Sequence, residues 1–508
     1  MICKSSRLTF IFLAGCHSLM FGAVVQAAEP IHIGSRLEPL VDHELIDSLK
    51  GRARLKLHSP QPREVAFQFD QAWEGNASGY CTLFQDGDIY RMFYRGSRYL
   101  IDKKPLRMAQ TETVCYAESQ DGIHWTRPNL GIYKWEGSKD NNIIFMGSPE
   151  AHNFSPFKDT NPKCLPEQRY KAVGGTTASK GLWTFQSTDG IHWKRLSKKP
   201  VVTKGAFDSH NTVFWDSDHK RYSMYVRYIS AGQFKGLRLI GESHSKDFIS
   251  WSEPVGLNYP GSPPQQMYTN QIRPYYRAPH ILFGFPTRYV AKPLTKHVEQ
   301  LPPVDLRKQL IHLGQRLGTD LSDGLFMSSR DGISFKRWDE AFVRPGPEAE
   351  HRWIYGDNYS SYGLFETKSA IPGLPTEISM HYDEGAWRDD IHRIRRHTIR
   401  LDGFVSLNAP YAGGTMTTKP FVFSGSKLSL NYATSAAGTL KVEIQNADGS
   451  LIPGFSLEDS TELFGDSTKQ VMSWKNGSDI SSLVGKSVRL HFELKDGDLY
   501  SFQFGEAE

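Results

Sequence analysis

The chain has 508 residues, 60 Lys+Arg against 55 Asp+Glu, and a formal net charge of +5. Hydrophobic residues make up 39% and charged residues 23%, which excludes a disordered, collagen-like or coiled-coil chain and leaves a globular one with ample core material. So small a positive surplus, with no dense Lys/Arg stripe, also excludes a nucleic-acid footprint.

Residues 1–28 read as a signal peptide. Lys4 and Arg7 precede a mostly apolar stretch over 8–25, and Val25-Gln26-Ala27 fits the small-residue rule for cleavage. Leu13-Ala14-Gly15-Cys16 also has the form of a lipobox, which would leave Cys16 lipid-anchored. The apolar stretch runs on past Cys16, which favours the later cut. The mature protein is therefore expected to be exported, periplasmic or extracellular. No other apolar run approaches the ~18 residues of a membrane helix. Removing the leader leaves Cys81, Cys115 and Cys164. A Cys81–Cys115 disulfide and three buried thiols are both open readings. There is no CxxC and no zinc spacing; neither metal nor cofactor is expected, with a cation held by His152, His210, Asp208 and Asp357 left as an alternative.

Residues 29–69 read as an arm leading into repeated β units. One phrase recurs: Ser119-Gln120-Asp121-Gly122-Ile123-His124-Trp125, Ser187-Thr188-Asp189-Gly190-Ile191-His192-Trp193 and Ser329-Arg330-Asp331-Gly332-Ile333-Ser334-Phe335. A weaker copy is Ser245-Lys246-Asp247-Phe248-Ile249-Ser250-Trp251. Asp-Gly makes a tight turn between strands. Ahead of each copy stands a short strand, a polar turn and a strand with alternating apolar residues, as in 222–226. The pattern predicts five four-stranded units, at about 70–127, 150–195, 206–253, 266–338 and 353–407. A repeat of about 60 residues with this content indicates propeller blades. The long fourth unit carries a part-helical insertion near 293–321. Beyond residue 410 the chain becomes rich in Ser, Gly and Thr with alternating strands, so 411–508 reads as a β-sandwich. The expected fold is all-β: a five-bladed propeller over 70–407 followed by that sandwich.

Aligning the first strands brings further residues into register. Asn153, Asn211, Asn270 and Asn358 fall at one repeated position, with Glu150, His152, Asp208, His210 and Asp357 beside them. In a propeller these positions converge on the central channel. Carboxylates grouped there repel one another and have perturbed pKa values. The same asparagines could instead only bridge neighbouring units.

With its five units and trailing sandwich, the chain resembles the propeller enzymes of glycoside hydrolase families 32 and 43, and in particular exported bacterial family-32-like hydrolases. The resemblance implies cleavage of glycosidic bonds in an oligo- or polysaccharide by acids of the propeller funnel. It places the first-blade acid on Glu74, or on Asp70 just upstream, and the middle acid on Asp208. The family's general-acid Glu has no counterpart: residues 259–270 contain no Glu or Asp. Glu242, Glu350, Asp357 and His280 are candidates to replace it, and Glu150 is a further catalytic candidate beside Asp208, Glu74 and Asp357. His152, Asn153, His210, Asn211, Asn270, Asn358, Arg273 and Trp73 are expected to contact sugar. Arg273 and Arg227 could hold an acidic sugar's carboxylate, and Tyr268 could stack on a ring. The acidic stretch 381–384 reads as exposed. A non-catalytic sugar-binding propeller and a sialidase- or lyase-like enzyme stay open as alternatives.

Overall fold

Residues 29–229 and 236–506 are described in a computed structural model. The leader, its cleavage site and Cys16 lie outside the described residues. The fold is mostly β. The only α-helices among the described residues are Lys296–Gln300, Val304–Leu313 and Gln315–Thr319, all within the expected insertion. None is long and apolar enough to cross a membrane.

Five four-stranded antiparallel sheets follow one another along the chain. The first orders Gly79–Asp86, Ile89–Gly96, Thr113–Ser119 and Ile143–Met146. The second orders Ser155–Lys158, Tyr170–Thr176, Gly181–Ser187 and Lys194–Arg195. The third orders Thr212–Asp216, Arg221–Ile229, Arg238–Ser245 and Val255–Gly256. The fourth orders Arg273–Tyr275, Ala278–Gly284, Met327–Ser329 and Lys336–Arg337. In the fifth, Phe365–Thr367, Glu377–Glu384 and Arg393–Arg400 are completed by Gln61–Gln68 from far upstream.

The recurring phrase closes these sheets in one way. Asp121 accepts the amide protons of Ile123 and His124, each at 2.8 Å, and Ser119 accepts that of Gly122 at 2.9 Å. The copies at Asp189, Asp247 and Asp331 repeat the bonds. The turn needs a positive φ, which Gly122, Gly190 and Gly332 supply. In the weak copy Phe248 adopts φ 67° itself, and its fully buried ring fills the core between the second and third sheets. Packing there outweighs the backbone cost.

Each sheet packs on the next through apolar side chains. Phe93 and Phe185 join the first to the second, Val173 and Val213 the second to the third, and Tyr225 and Phe335 the third to the fourth. Phe283 and Met380 join the fourth to the fifth, and Phe365 and Leu83 the fifth back to the first. That last junction also has backbone bonds: Leu83 N–H donates to Tyr362 O at 2.8 Å, and Tyr362 N–H to Cys81 O at 2.7 Å.

Two segments differ from expectation. The outer strand of the first sheet, Ile143–Met146, lies beyond residue 127, because only Thr126 bridges back to Glu118 after the turn. The segment 29–69 does not lead directly into the first sheet. Ile31–Gly34, Leu37–Pro39, Ile46–Gly51 and Arg54–Leu57 join a ten-stranded sheet with the C-terminal strands, and Gln61–Gln68 completes the fifth sheet. The ten-stranded sheet has its own core, including Leu428, Val442, Leu490 and Phe502. Cys81, Cys115 and Cys164 are free thiols, the first two buried and Cys164 half-buried.

Candidate active site

The starts of the first strands, and the loops before them, gather around a cavity of about 180 Å³. Its walls are aromatic: Tyr80, Tyr99, Tyr268, Tyr355, Tyr359 and Trp387. Its charged residues are Arg95, Asp208, Arg316 and Asp383, with His392 beside them. Tyr268 and Tyr359 meet at 5.4 Å between ring centroids, and Tyr80 and Tyr359 at 6.1 Å. Burial raises the Tyr80, Tyr355 and Tyr359 phenols well above their ordinary value, so they stay neutral hydrogen-bonding groups.

Asp208 is the sequence-predicted acid that the fold delivers to this cavity. Its side chain is 60% exposed. His152 Nε2 stands 3.2 Å from Asp208 Oδ1, and His152 Nδ1 stands 2.9 Å from Glu112 Oε1. Carboxylates only accept, so both ring nitrogens donate and the imidazole is a cation. The His152 hydrogen bond, with Arg227 and Arg95 adding to it and burial opposing, holds the Asp208 carboxyl well below the usual carboxylate range. Burial disfavours the His152 charge, but the Asp208 and Glu112 bonds outweigh it and raise its pKa.

A folded-state pKa above the unfolded one stabilises the protein fully below about 6.5, the unfolded value. That contribution disappears as pH rises through the folded value. His152→Gln is therefore expected to cost stability at pH 5 and progressively less towards pH 9. Denaturant unfolding of the two proteins across that range measures the convergence.

The other carboxyl of the cavity is Asp383, near the end of strand Glu377–Glu384. The stretch around it is not exposed: His381, Tyr382, Asp383 and Glu384 are all buried. Both faces of the fifth sheet are covered by neighbouring sheets, so the alternating polar residues point into packed junctions. Asp383 Oδ1 is buried with no hydrogen-bond partner. Burial first, and then the negative charge of Asp357, push its carboxyl well above the usual range, with Arg95 opposing. Burial and the neighbouring Asp357 carboxyl thus both favour the protonated form of Asp383.

Asp357 sits behind this group. It is fully buried and accepts the Ala386 and Ile354 amides at 2.9 and 3.0 Å. Burial, partly offset by those amides, pushes its carboxyl up to about 7. It ties the 354–357 turn to the 385–387 turn and is not part of the cavity wall, whereas its neighbour Gly356 is.

Glu74 does not reach the cavity. It is fully buried, paired with Arg127 at 2.9 Å, and accepts from Tyr94 Oη at 2.5 Å and from the Gln71 amide at 3.0 Å. Removing Arg127 leaves that carboxylate buried and unpaired. Arg127→Ala is expected to cost about 3–5 kcal/mol of stability, read from the shift of a urea unfolding midpoint.

Glu150 pairs with Arg195 at 2.9 Å, Glu242 with Arg221 at 3.1 Å, Glu350 with Arg388 at 3.0 Å and His280 with Glu38 at 3.3 Å. None of the four lines the cavity. The repeated asparagines act as ties. Asn153 Nδ2 donates to Ser209 O, Asn270 Nδ2 to His210 O, and Asn358 Nδ2 to Ser322 O. Asn211 Nδ2 donates to Phe207 O and Ser209 O.

His210 is buried beneath the cavity between Thr82 and Gln271. Burial, with Arg95 adding to it, pushes its pKa down to about 3, so it is neutral. Trp73 spends its indole N–H on Asn142 Oδ1 at 2.8 Å. Arg273 lines a different cavity. Arg95, Glu112, Tyr359, Arg316 and His392 lie outside the aligned copies and carry no sequence signal, while Tyr355 stands in the register two residues before Asp357 without a role assigned to it. Sequence reasoning singled out Asp383 only as a member of an exposed stretch.

Chemically, the cavity pairs a carboxyl that the His152 hydrogen bond holds low with one that burial pushes high. Environments that drive two carboxyls apart in this way assign the acid and the anion of a catalytic pair.

No protein-family profile and no curated protein matches the sequence. Solved structures that match this chain include an N-acetylgalactosamine deacetylase from F. plautii, with 14% identity over 69% of this chain and 96% of that one and a TM-score of 0.42. A structure from the GH130 family of mannoside phosphorylases matches with 14% identity over 71% and 96% and a TM-score of 0.39. A glycosyl hydrolase from Bacteroides ovatus matches with 14% identity over 72% and 100% and a TM-score of 0.38. These neighbours include glycoside hydrolase-like proteins, and they do not single out families 32 and 43.

Proposed function

We propose that the protein is an exported glycoside hydrolase whose five sheets are the blades of a propeller, spanning 70–407 with Gln61–Gln68 as its last strand, and whose residues 411–508 belong to a β-sandwich. Residues 1–28 are its signal peptide. Its substrate is an oligo- or polysaccharide, bound at the cavity between Asp208 and Asp383. Asp383 donates its proton to the leaving glycosidic oxygen. Asp208 faces the anomeric carbon as a fixed negative charge, either attacking it or stabilising the oxocarbenium-like transition state as the glycosidic C–O bond breaks; water then adds to the anomeric carbon, displacing Asp208 where it has attacked, and gives its proton to the Asp383 carboxylate. Held so far below neutrality, Asp208 is a weak base, and its strength lies in being ionised at every working pH. The tyrosines and Trp387 hold the sugar ring by stacking, and Arg95 and Arg316 donate to hydroxyls.

The observation that carries this reading is that Asp208, bonded to His152 at 3.2 Å, and Asp383, buried with Oδ1 unpartnered, line one cavity; the opposite displacement of their pKa values supports it. At about 180 Å³ the cavity suits one sugar unit better than a chain, so the enzyme removes terminal units. Incubating the protein with a panel of plant and marine polysaccharides, and measuring released reducing sugar against Asp208→Asn, tests it. Monosaccharide release that vanishes in the variant supports the reading. Release that survives the substitution refutes the role of Asp208.

A further inference from the structure

We propose that the cavity around Arg273 is a second binding site, separate from the candidate active site, which takes a sugar unit bearing a carboxylate. Arg273 begins the first strand of the fourth sheet. Its guanidinium lies over the Tyr362 ring at 5.3 Å. Among the described residues it makes no ion pair and no hydrogen bond. Other arginines at the sheet junctions are paired: Arg127 with Glu74, Arg277 with Asp402, Arg330 with Asp42 and Arg396 with Glu64. Arg273 is half-buried, a guanidinium partly drawn out of water without a counter-ion is costly, and burial lowers its pKa. Here it borders a cavity of about 600 Å³, so a ligand can supply the missing charge.

The other groups of the cavity fit an acidic sugar. Its two carboxylates are engaged elsewhere. Asp121 accepts the amides of its own turn. Glu366 accepts from Tyr276 Oη at 2.9 Å and from Thr376 Oγ1 at 2.6 Å. Arg273 is thus left to bind an incoming carboxylate through two parallel N–H bonds. Tyr276, 39% exposed, and Tyr90 offer ring faces for stacking, and Gln85 and Gln120 offer amides for hydroxyls.

This cavity shares no lining residue with the first. Between them stands a stack of rings: Tyr80 and His210 at 5.8 Å, then His210 and Tyr362 at 6.0 Å, with Arg273 on the far side of Tyr362. The second site therefore does not depend on the catalytic reading of the first.

Isothermal titration of the full chain with glucuronate, glucose and inorganic sulfate tests the proposal. Glucuronate is expected to bind the wild type, with glucose at least tenfold weaker. Arg273→Gln should weaken glucuronate at least tenfold and Tyr276→Ala at least threefold, while Asp208→Asn changes nothing. Tyr276 is at the surface, so its variant carries the test should Arg273→Gln not fold. Any one of three results overturns the proposal: no glucuronate binding, binding that depends on Asp208 and not on Arg273 or Tyr276, or sulfate binding as tightly as glucuronate.

Discussion

Asp383→Asn is expected to lower hydrolysis of an unactivated glycoside by about 10²- to 10⁴-fold. The amide matches the acid in size and, like the neutral acid, carries no charge, so the cavity keeps its shape and potential. It has no acidic proton to give to the leaving oxygen. The loss should therefore shrink when the leaving group needs no protonation. Aryl glycosides of the released sugar, graded by the acidity of their phenols, measure this. Wild type and variant converge on the most acidic phenol if Asp383 is the acid, and stay apart if it is not. The alkaline limb of the wild-type pH profile should also lie well above the ordinary carboxylate range, because burial and Asp357 hold the proton on Asp383.

Asp208→Asn is expected to reduce activity by roughly 10³-fold or more, about 4 kcal/mol of transition-state stabilisation. The substitution removes the negative charge beside the developing oxocarbenium ion, and no leaving group compensates for that. Its defect should persist undiminished on the activated aryl glycosides that rescue Asp383→Asn. The two variants are thereby separated by one series of substrates. Stability should change little, because Asp208 is 60% exposed and an exposed ion pair contributes about 0–1 kcal/mol. Parallel thermal unfolding confirms that the activity loss is chemical.

Much of the scaffold was legible because it repeats. The Asp-Gly phrase marks a turn whose hydrogen bonds are local, so four copies identify four of the sheets. The fifth sheet borrows Gln61–Gln68, a long-range pairing that no local pattern announces. Asp208 was legible because the register of first strands places it at the convergence of the sheets. At the asparagines the register left two roles open, and the bonds of Asn153, Asn270 and Asn358 fit the tie between neighbouring units, while Asn211 bonds within its own loop. Glu74 carried the first-blade acid of a family pattern, but Arg127, which holds it, stands 53 residues away. Asp383 was illegible for a different reason. His381-Tyr382-Asp383-Glu384 alternates as a surface strand does, and only the packing of sheets on both faces turns that polar row inward. Burial of that kind is a property of the assembled fold, and it is what raises the Asp383 carboxyl.

The protonation of Asp383 is the centre of the account, and it can be read without knowing the substrate. An infrared difference spectrum of wild type minus Asp383→Asn, taken at pH 7, isolates that one side chain. A protonated carboxyl C=O band is expected in the wild type and absent from the variant. A difference spectrum showing only carboxylate bands would mean that Asp383 is ionised at neutral pH, and would contradict its role as the proton donor.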